Sequence, residues 1–411
     1  MYYAHIQALI IILHRKVWFT MAASRSSSVN AASAKPKKRL RAFSVSQGFD
    51  MPFLVILMII LVVGLISLFS ASYAYSFYWN GGDSFFYIKK QIIFAILGVI
   101  IMLGVSTVDY HILHHVAFPL MGVSYILLAV ALMLPSSTGV HRWIRLPGVQ
   151  FQPSEIAKFA LILLFAHLIS INHKKMKTFT AGYLPFMLIL GITCGLVFIE
   201  PHLSGTILLL GIGIFMMYVG GTRLLYLLLT MGAGGAAFFF MVFIKGYEQD
   251  RINVWFDPVK AYAENSNEAW QTIQSLFAIG SGGIMGQGLG NSRQKHLFLP
   301  EPHNDFIFSV ICEELGFVGA VLIIVLFALL VWRGITIGMK SPDKFGSMLA
   351  IGLTIQVGIQ AIMNMAVVSN TIPNTGISLP FFSYGGTSLV MLLAQMGVVL
   401  SVSRHAGLGG S

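Results

Sequence analysis

Cysteine is almost missing from this chain, two in 411 residues, and charged side chains make up only 10%. Cys194 and Cys312 both stand inside apolar runs without metal-ligand spacing, so they read as buried thiols rather than a disulfide or a metal site. Acids are the scarcer sign, 15 against 26 Lys and Arg, for a net charge of +11. No small-residue cleavage site follows the short apolar run Ile6–Leu13, which is too short to span a bilayer, so it does not read as a signal peptide. An interfacial helix and translation upstream of a start at Met21 both stay open for it. No repeat of useful period is visible, which leaves an inverted-repeat transporter without direct support.

What is present is hydrocarbon. The chain is 56% hydrophobic with 31 Phe and 41 Gly, and its mean hydropathy of +0.80 lies outside the range of soluble domains of this length. The expected fold class is an all-α polytopic membrane protein. Its bilayer takes up the apolar surface, and its backbone is satisfied inside helices. In a soluble protein a charge of +11 would suggest nucleic acid; here it reads as topology, with no nucleic-acid partner.

Residues 1–50 form a basic tail, with Lys35, Lys37, Lys38, Arg39 and Arg41 clustered among Ser and Ala, expected to be disordered and held near anionic lipid. Ten segments of bilayer length follow, near 52–73, 87–106, 116–134, 154–171, 183–199, 203–220, 223–244, 304–332, 346–368 and 384–403. Together they define a transmembrane domain over 51–404, with 405–411 as a short second tail. Placing the basic tail inside also puts Lys174, Lys175, Lys177, Arg223, Arg333, Lys340, Lys344 and Arg404 inside, so both termini are expected to be cytoplasmic. Two loops then fall outside: 135–153, and a large loop over 245–303 between the seventh and eighth spans. A loop of that length is usually functional. Within it Trp270, Ile273, Phe277 and Ile279 share one face of an expected helix, either interfacial or a substrate or partner contact.

Few charges lie within or beside the hydrocarbon, which makes each one informative. Glu155 and Lys158 are three residues apart at the start of the fourth span, on one helix face, and read as a packing pair or as a pair that also lines a cavity. Ser154 is the expected N-cap there, after Pro153. Glu200, before Pro201 and His202, reads as an exposed turn acid or a functional one. Asp305 ends the polar loop PEPHND, and two readings of it stand. It is an N-cap of the eighth helix, with a lowered pKa, or a carboxylate desolvated by Phe306, Ile307 and Phe308. Glu313 and Glu314 lie deeper and suit packing or gating. His303 orients a phosphate or hydroxyl, or is a loop hydrogen-bonder. The run NTIPNTGISLPFFSYGGTS, ending in Ser383, Tyr384 and Gly385, breaks helix and lets backbone approach another group closely.

Four stretches occur in order within this ten-span layout: RWIRLPGVQFQPSEIAK, EPHLSGT, GQGLGNSRQKHLFLPEPHNDFIF followed by EELG, and GISLPFFSYGGTS. Together they resemble the SEDS family (shape, elongation, division and sporulation), whose members include FtsW, RodA and SpoVE, with wording closer to FtsW and SpoVE. The likeness covers about residues 50 to 404.

It implies a peptidoglycan glycosyltransferase that polymerises lipid II at the outer face of a bacterial cytoplasmic membrane, during division or sporulation, beside a class B penicillin-binding protein. The family's essential acid falls on Asp305, which would accept the proton of the acceptor hydroxyl, and its buried pair falls on Glu155 and Lys158. Many members carry Gln-Pro-Asp where this chain has Glu200, Pro201 and His202, so no acid stands at 202. A dianionic leaving group needs cations, and the outer side offers Arg142, Arg145, Arg293 and Lys295. Trp143, Gln152, Asn291, His303, Ser383, Tyr384 and Gly385 complete the expected substrate-binding set. A divalent cation (Mg or Mn) bridging the diphosphate is expected only as an option, since no ligand cluster is visible. Two other readings use the same residues: a lipid II flippase, and a non-catalytic scaffold for the transpeptidase.

Overall fold

The computed structural model describes residues 48–134, 142–146, 149–243, 249–263 and 267–406. The expected tail 1–50 lies outside them except for its last three residues, as do residues 407–411 of the second tail.

All ten expected spans are helices. They are α1 (Met51–Trp79), α2 (Phe86–Thr107), α3 (Leu113–Met133), α4 (Pro153–Asn172), α5 (Leu184–Ile199), α6 (Leu203–Val219) and α7 (Leu224–Phe243), then, after three short outer helices, α11 (Ile307–Met339), α12 (Lys344–Val368) and α13 (Gly386–His405). Eight are long and apolar enough to cross a membrane, and α6 and α7 supply two shorter apolar segments. The tight turns that separate α5, α6 and α7 are set by residues that cannot continue a helix: Pro201 at φ 28° and Gly221 at φ 96°. The large outer loop carries α8 (Gln249–Phe256), α9 (Pro258–Ala263) and α10 (Asn267–Gly282). One antiparallel hairpin, β1 (Ile144–Leu146) on β2 (Val149–Phe151), departs from pure helix and leads into α4.

Burial follows the membrane setting. On α1, Val55, Ile59, Val62 and Ile66 are exposed toward lipid while Phe53, Leu57, Ile60 and Leu68 are fully covered. The enclosed helices α4, α12 and α13 can afford polar groups inside, and Gln356, Gln360, Asn364 and Gln395 are all buried on them. The start of α1 and the end of α13 meet on one face, as an even number of crossings between them requires. Asp50 caps α1 through Phe53 N (2.9 Å), pairs with Arg333 of α11 (2.8 Å), and donates its backbone N–H to Ser403 of α13 (3.0 Å).

Helix α11 is broken at Gly316, which adopts φ 68° and ψ −167°. The opened backbone is re-satisfied by the Gly-rich loop after α10, as non-helical chain at membrane depth must be. Gln287 and Gly288 donate to the Glu313 and Glu314 carbonyls at 3.0 and 2.9 Å, and Phe317 and Val318 donate to those of Gly283 and Ile284 at 2.9 and 3.1 Å. A Cβ on Gly286 or Gly316 would collide with the opposing backbone, so the close approach itself requires glycine there.

The buried face of α10 is the small one, Ala269, Thr272, Ser275, Ala278 and Gly282, and Ser275 donates to the Val368 carbonyl at 2.8 Å. Phe277 consequently points outward, and Trp270 reaches sideways to donate to the Phe298 carbonyl at 2.9 Å. Close packing on α11 selects small residues at the contact, which turns Phe277 away from the core, while Ile279 of the expected apolar face stays half-buried against it.

Candidate active site

Asp305 stands in a turn, not at a cap. Helix α11 begins at Ile307 with Phe306 in the cap position and no side-chain cap bond, so the N-cap reading of Asp305 is set aside. The loop before α11 is fixed from α12 and from the loop that precedes α13. Asn364 donates to the Asp305 carbonyl (2.7 Å) and the Ile377 carbonyl (2.6 Å), Ser383 Oγ to the Asn304 carbonyl (2.8 Å), and the Tyr384 amide to the His303 carbonyl (2.9 Å). Gln91 of α2 braces the second loop by accepting from the Gly385 amide at 3.2 Å.

What these bonds leave free is the Asp305 carboxylate. Among the described residues no donor reaches it, and Gly376, at φ 67°, lies against it where a Cβ would come within 3.3 Å of Oδ2. Desolvation and the neighbouring Glu301 raise its pKa to about 6, against a lowering by Arg142. The carboxylate is thus ionised at neutral pH and more basic than an ordinary aspartate.

It opens on a cavity of about 780 Å³. Of the residues expected from sequence, Arg142, Trp143, Gln152, Glu155, Lys158, Asp305, Ser383, Tyr384 and Gly385 line this space. Glu155 and Lys158 pair at 2.8 Å, so the buried pair faces the cavity rather than only packing helices. The Arg142 guanidinium donates to the Pro201 carbonyl, which ties the hairpin to the α5–α6 turn. The side chain of Arg145, on β1, lies outside what is described.

Four expected ligands are not brought to the cavity: Asn291, Arg293 and Lys295, on the strap formed by residues 283–296, and His303. Lys295 is 3% exposed and bound to Glu314 (2.8 Å), Ser70 (3.0 Å) and the Gly290 carbonyl (2.6 Å). Arg293 and Asn291 belong to the same strap, where Glu313 accepts from the Arg293 and Gln294 amides at 2.9 and 3.3 Å and from Ser292. The two deep acids therefore bind their own loop; the Lys295 ammonium is consumed as a structural partner, while Arg293 takes part through its backbone amide. His303 lies behind the site, its ring 4.2 Å from that of Tyr87 and 4.9 Å from that of Tyr75, and burial lowers its pKa to about 4. It is a neutral ring that packs the loop.

Other cavity residues escaped the sequence reading. The N-cap of α4 is Gln152, not Ser154; Ser154 is 1% exposed with its Oγ unpartnered among the described residues, facing the cavity. Gln360 of α12 has an unpartnered Oε1 there while its Nε2 donates to the Ser378 carbonyl at 3.1 Å. His202 lies 3.4 Å from Gln152 and is held neutral, its pKa lowered to about 3 by burial, Arg142 and Lys158. Glu200, for which an exposed turn acid and a functional one both stood open, is fully buried, and burial pushes its pKa up to about 8 against Arg142. A carboxyl kept protonated there is close in shape to the Gln that the resemblance places at this position. Lys90 of α2 also lines the cavity.

Among the described residues no three His, Cys, Asp or Glu side chains are grouped as metal ligands. The cavity's two acids do not make a ligand set, since Glu155 is already bound to Lys158.

A family model described as "Cell cycle protein", FTSW_RODA_SPOVE, matches residues 51–407. The chain belongs to the FtsW/RodA/SpoVE family. Among its relatives, one from Geobacter sp. (strain M18) named "Probable peptidoglycan glycosyltransferase FtsW" is 40% identical over 87% of this chain and 98% of the relative. "Stage V sporulation protein E" of Bacillus subtilis (strain 168) is 38% identical over 87% and 97%. Two solved structures share the fold. The rod shape determining protein RodA of Thermus thermophilus superposes with a TM-score of 0.64 at 26% identity, covering 87% of this chain and 97% of RodA. A chain described under "Structural coordination of polymerization and crosslinking by a peptidoglycan synthase complex" superposes at 0.71 with 25% identity, covering 87% and 98%. The four motif stretches thus acquire a common location, because each of them supplies residues to the cavity wall, the third through Asn304 and Asp305.

Proposed function

We propose that this family member is a peptidoglycan glycosyltransferase that polymerises lipid II into glycan strands at the outer face of the cytoplasmic membrane. The observation that carries the reading is the Asp305 carboxylate, without a donor among the described residues and raised to about 6, opening on a cavity that Arg142 and Lys158 also line. Asp305 accepts the proton of the acceptor sugar hydroxyl as its oxygen attacks the anomeric carbon of the donor. The new glycosidic C–O bond forms while the bond from that carbon to the phosphate oxygen breaks, and undecaprenyl diphosphate departs with the electron pair. Proton transfer of this kind contributes about 10²–10⁴-fold, so the rest of the acceleration comes from orientation and from cations facing the leaving oxygen. Arg142 is suited to that charge; Lys158, shared with Glu155, supports it. A divalent cation would enter only as an ion carried by the diphosphate.

Purified protein with its transpeptidase partner and fluorescent lipid II should give polymer that falls at least about 10²-fold in Asp305→Asn. Undiminished polymer from that variant removes the general-base role. Transfer of lipid II across liposomes without polymer would identify a flippase, and normal growth of cells carrying Asp305→Asn would identify a scaffold. A class B penicillin-binding protein is the proposed partner and the division septum the proposed location. The solved relative described as part of a synthase complex and the FtsW-named relatives support both.

A further inference from the structure

The cavity cations are not equivalent. Lys158 is neutralised by Glu155 at 2.8 Å, and Arg142 donates to the Pro201 carbonyl. Lys90, at the start of the second turn of α2, has neither kind of partner among the described residues, and its ammonium rests 3.8 Å from the centroid of the Phe86 ring. Its neighbour Lys89 is paired with Asp83 at 3.1 Å and is absent from the cavity lining. Lys89 thus has an acid partner in Asp83, whereas among the described residues Lys90 has none.

The surroundings of Lys90 indicate what it receives. One turn along α2 is Phe94, and across from it α13 contributes Leu389 and Leu392 to the same cavity wall. Gly386 allows this approach, since a Cβ there would strike the Phe94 ring. One part of the cavity therefore sets a free ammonium beside an apolar lining, whereas the part formed by α4, the hairpin and the α5–α6 turn is polar. An ammonium beside hydrocarbon matches a phosphate esterified to a long apolar chain. The aromatic ring holds the ammonium loosely enough for an anionic oxygen to displace it.

We propose that Lys90 is a substrate-binding residue that takes the diphosphate of the polyprenyl-linked substrate where it enters the cavity. The assignment rests on the glycosyltransferase reading for the identity of the lipid and adds a contact separate from Arg142 and Lys158. Anionic phospholipid offers the same phosphate chemistry, so the test must separate the two sources.

The measurement uses the full chain with its transpeptidase partner in nanodiscs, one set of phosphatidylcholine and one containing phosphatidylglycerol. Lys90→Gln is expected to raise KM for lipid II about tenfold, the worth of one charge-assisted contact, with kcat within about twofold, in both sets. Lys90→Arg should recover most of the loss, and Lys89→Gln should match the native chain. Binding of fluorescent lipid II to Asp305→Asn, with and without Lys90→Gln, gives a readout that needs no turnover. A tenfold weaker binding there supports Lys90 even if polymerisation fails to appear, an outcome that would count only against the glycosyltransferase reading. An unchanged KM and unchanged binding, a loss confined to kcat, or a defect seen only with phosphatidylglycerol present each overturn the proposal.

Discussion

Lys295 separates two accounts of the strap, because a substrate ligand and a structural post respond in opposite ways to removal of its partner. Its ammonium and the Glu314 carboxylate are each 3% exposed, 2.8 Å apart, and share Ser70. Lys295→Met leaves Glu314 buried with only the Ser70 hydroxyl, and breaking a buried pair in this way costs about 3–5 kcal/mol. The Gly290 carbonyl loses its 2.6 Å donor as well, adding about 1 kcal/mol. Replacing both members by apolar residues of similar volume removes the uncompensated charge, and such exchanges are often neutral or stabilising. The double variant Lys295→Met with Glu314→Met is therefore expected to melt well above either single variant, and to recover polymerase activity as it recovers the fold. Thermal unfolding in detergent alongside lipid II polymerisation reads both quantities. A double variant that is as stable as the native chain yet as inactive as Lys295→Met would refute the reasoning and return Lys295 to the substrate.

The Asp305 carboxyl is raised from its ordinary value to about 6, so kcat/KM should climb with pH through about 6 as the base ionises. Because the native state holds this proton more tightly than the unfolded chain, stability declines as pH rises between the two values; Asp305→Asn should therefore melt above the native chain at pH 7 and coincide with it below about pH 4. Glu200, pushed up to about 8, obeys the same sign, so Glu200→Gln should leave activity at pH 7 intact and raise the melting temperature most above pH 8. Gly286→Ala faces a positive φ of 79° and the Glu314 carbonyl, and should cost more than about 1 kcal/mol, seen as a lowered melting temperature together with reduced polymer.

The ten spans were legible because each is a long apolar run, and hydrocarbon length alone decides that reading. The breaks at Pro201 and Gly221 were legible as residues that stop a helix. Asp305, Glu155 and Lys158 could be singled out because a charge in hydrocarbon is conspicuous. Which loop folds on which helix was not legible. Lys295 and Glu314 are 19 positions apart, and nothing in their spacing says that the strap returns to the kink and consumes the cation. Lys90 was missed because a Lys-Lys pair at a helix end resembles an ordinary topology charge, and only the Asp83 contact to its neighbour shows that one of the two is spare. The burial of Glu200 was not legible, because Pro and His beside an acid fit a wet turn as well as a functional one, and Arg142, whose charge acts on it, stands on a different segment of the chain.

The four main-chain bonds between residues 283–288 and 313–318 make the intervening chain a closed ring with a fixed neck. The helices α8 and α9 precede that ring in the chain, so a change in their length does not pass through its neck; a single residue inserted inside the ring cannot be absorbed the same way.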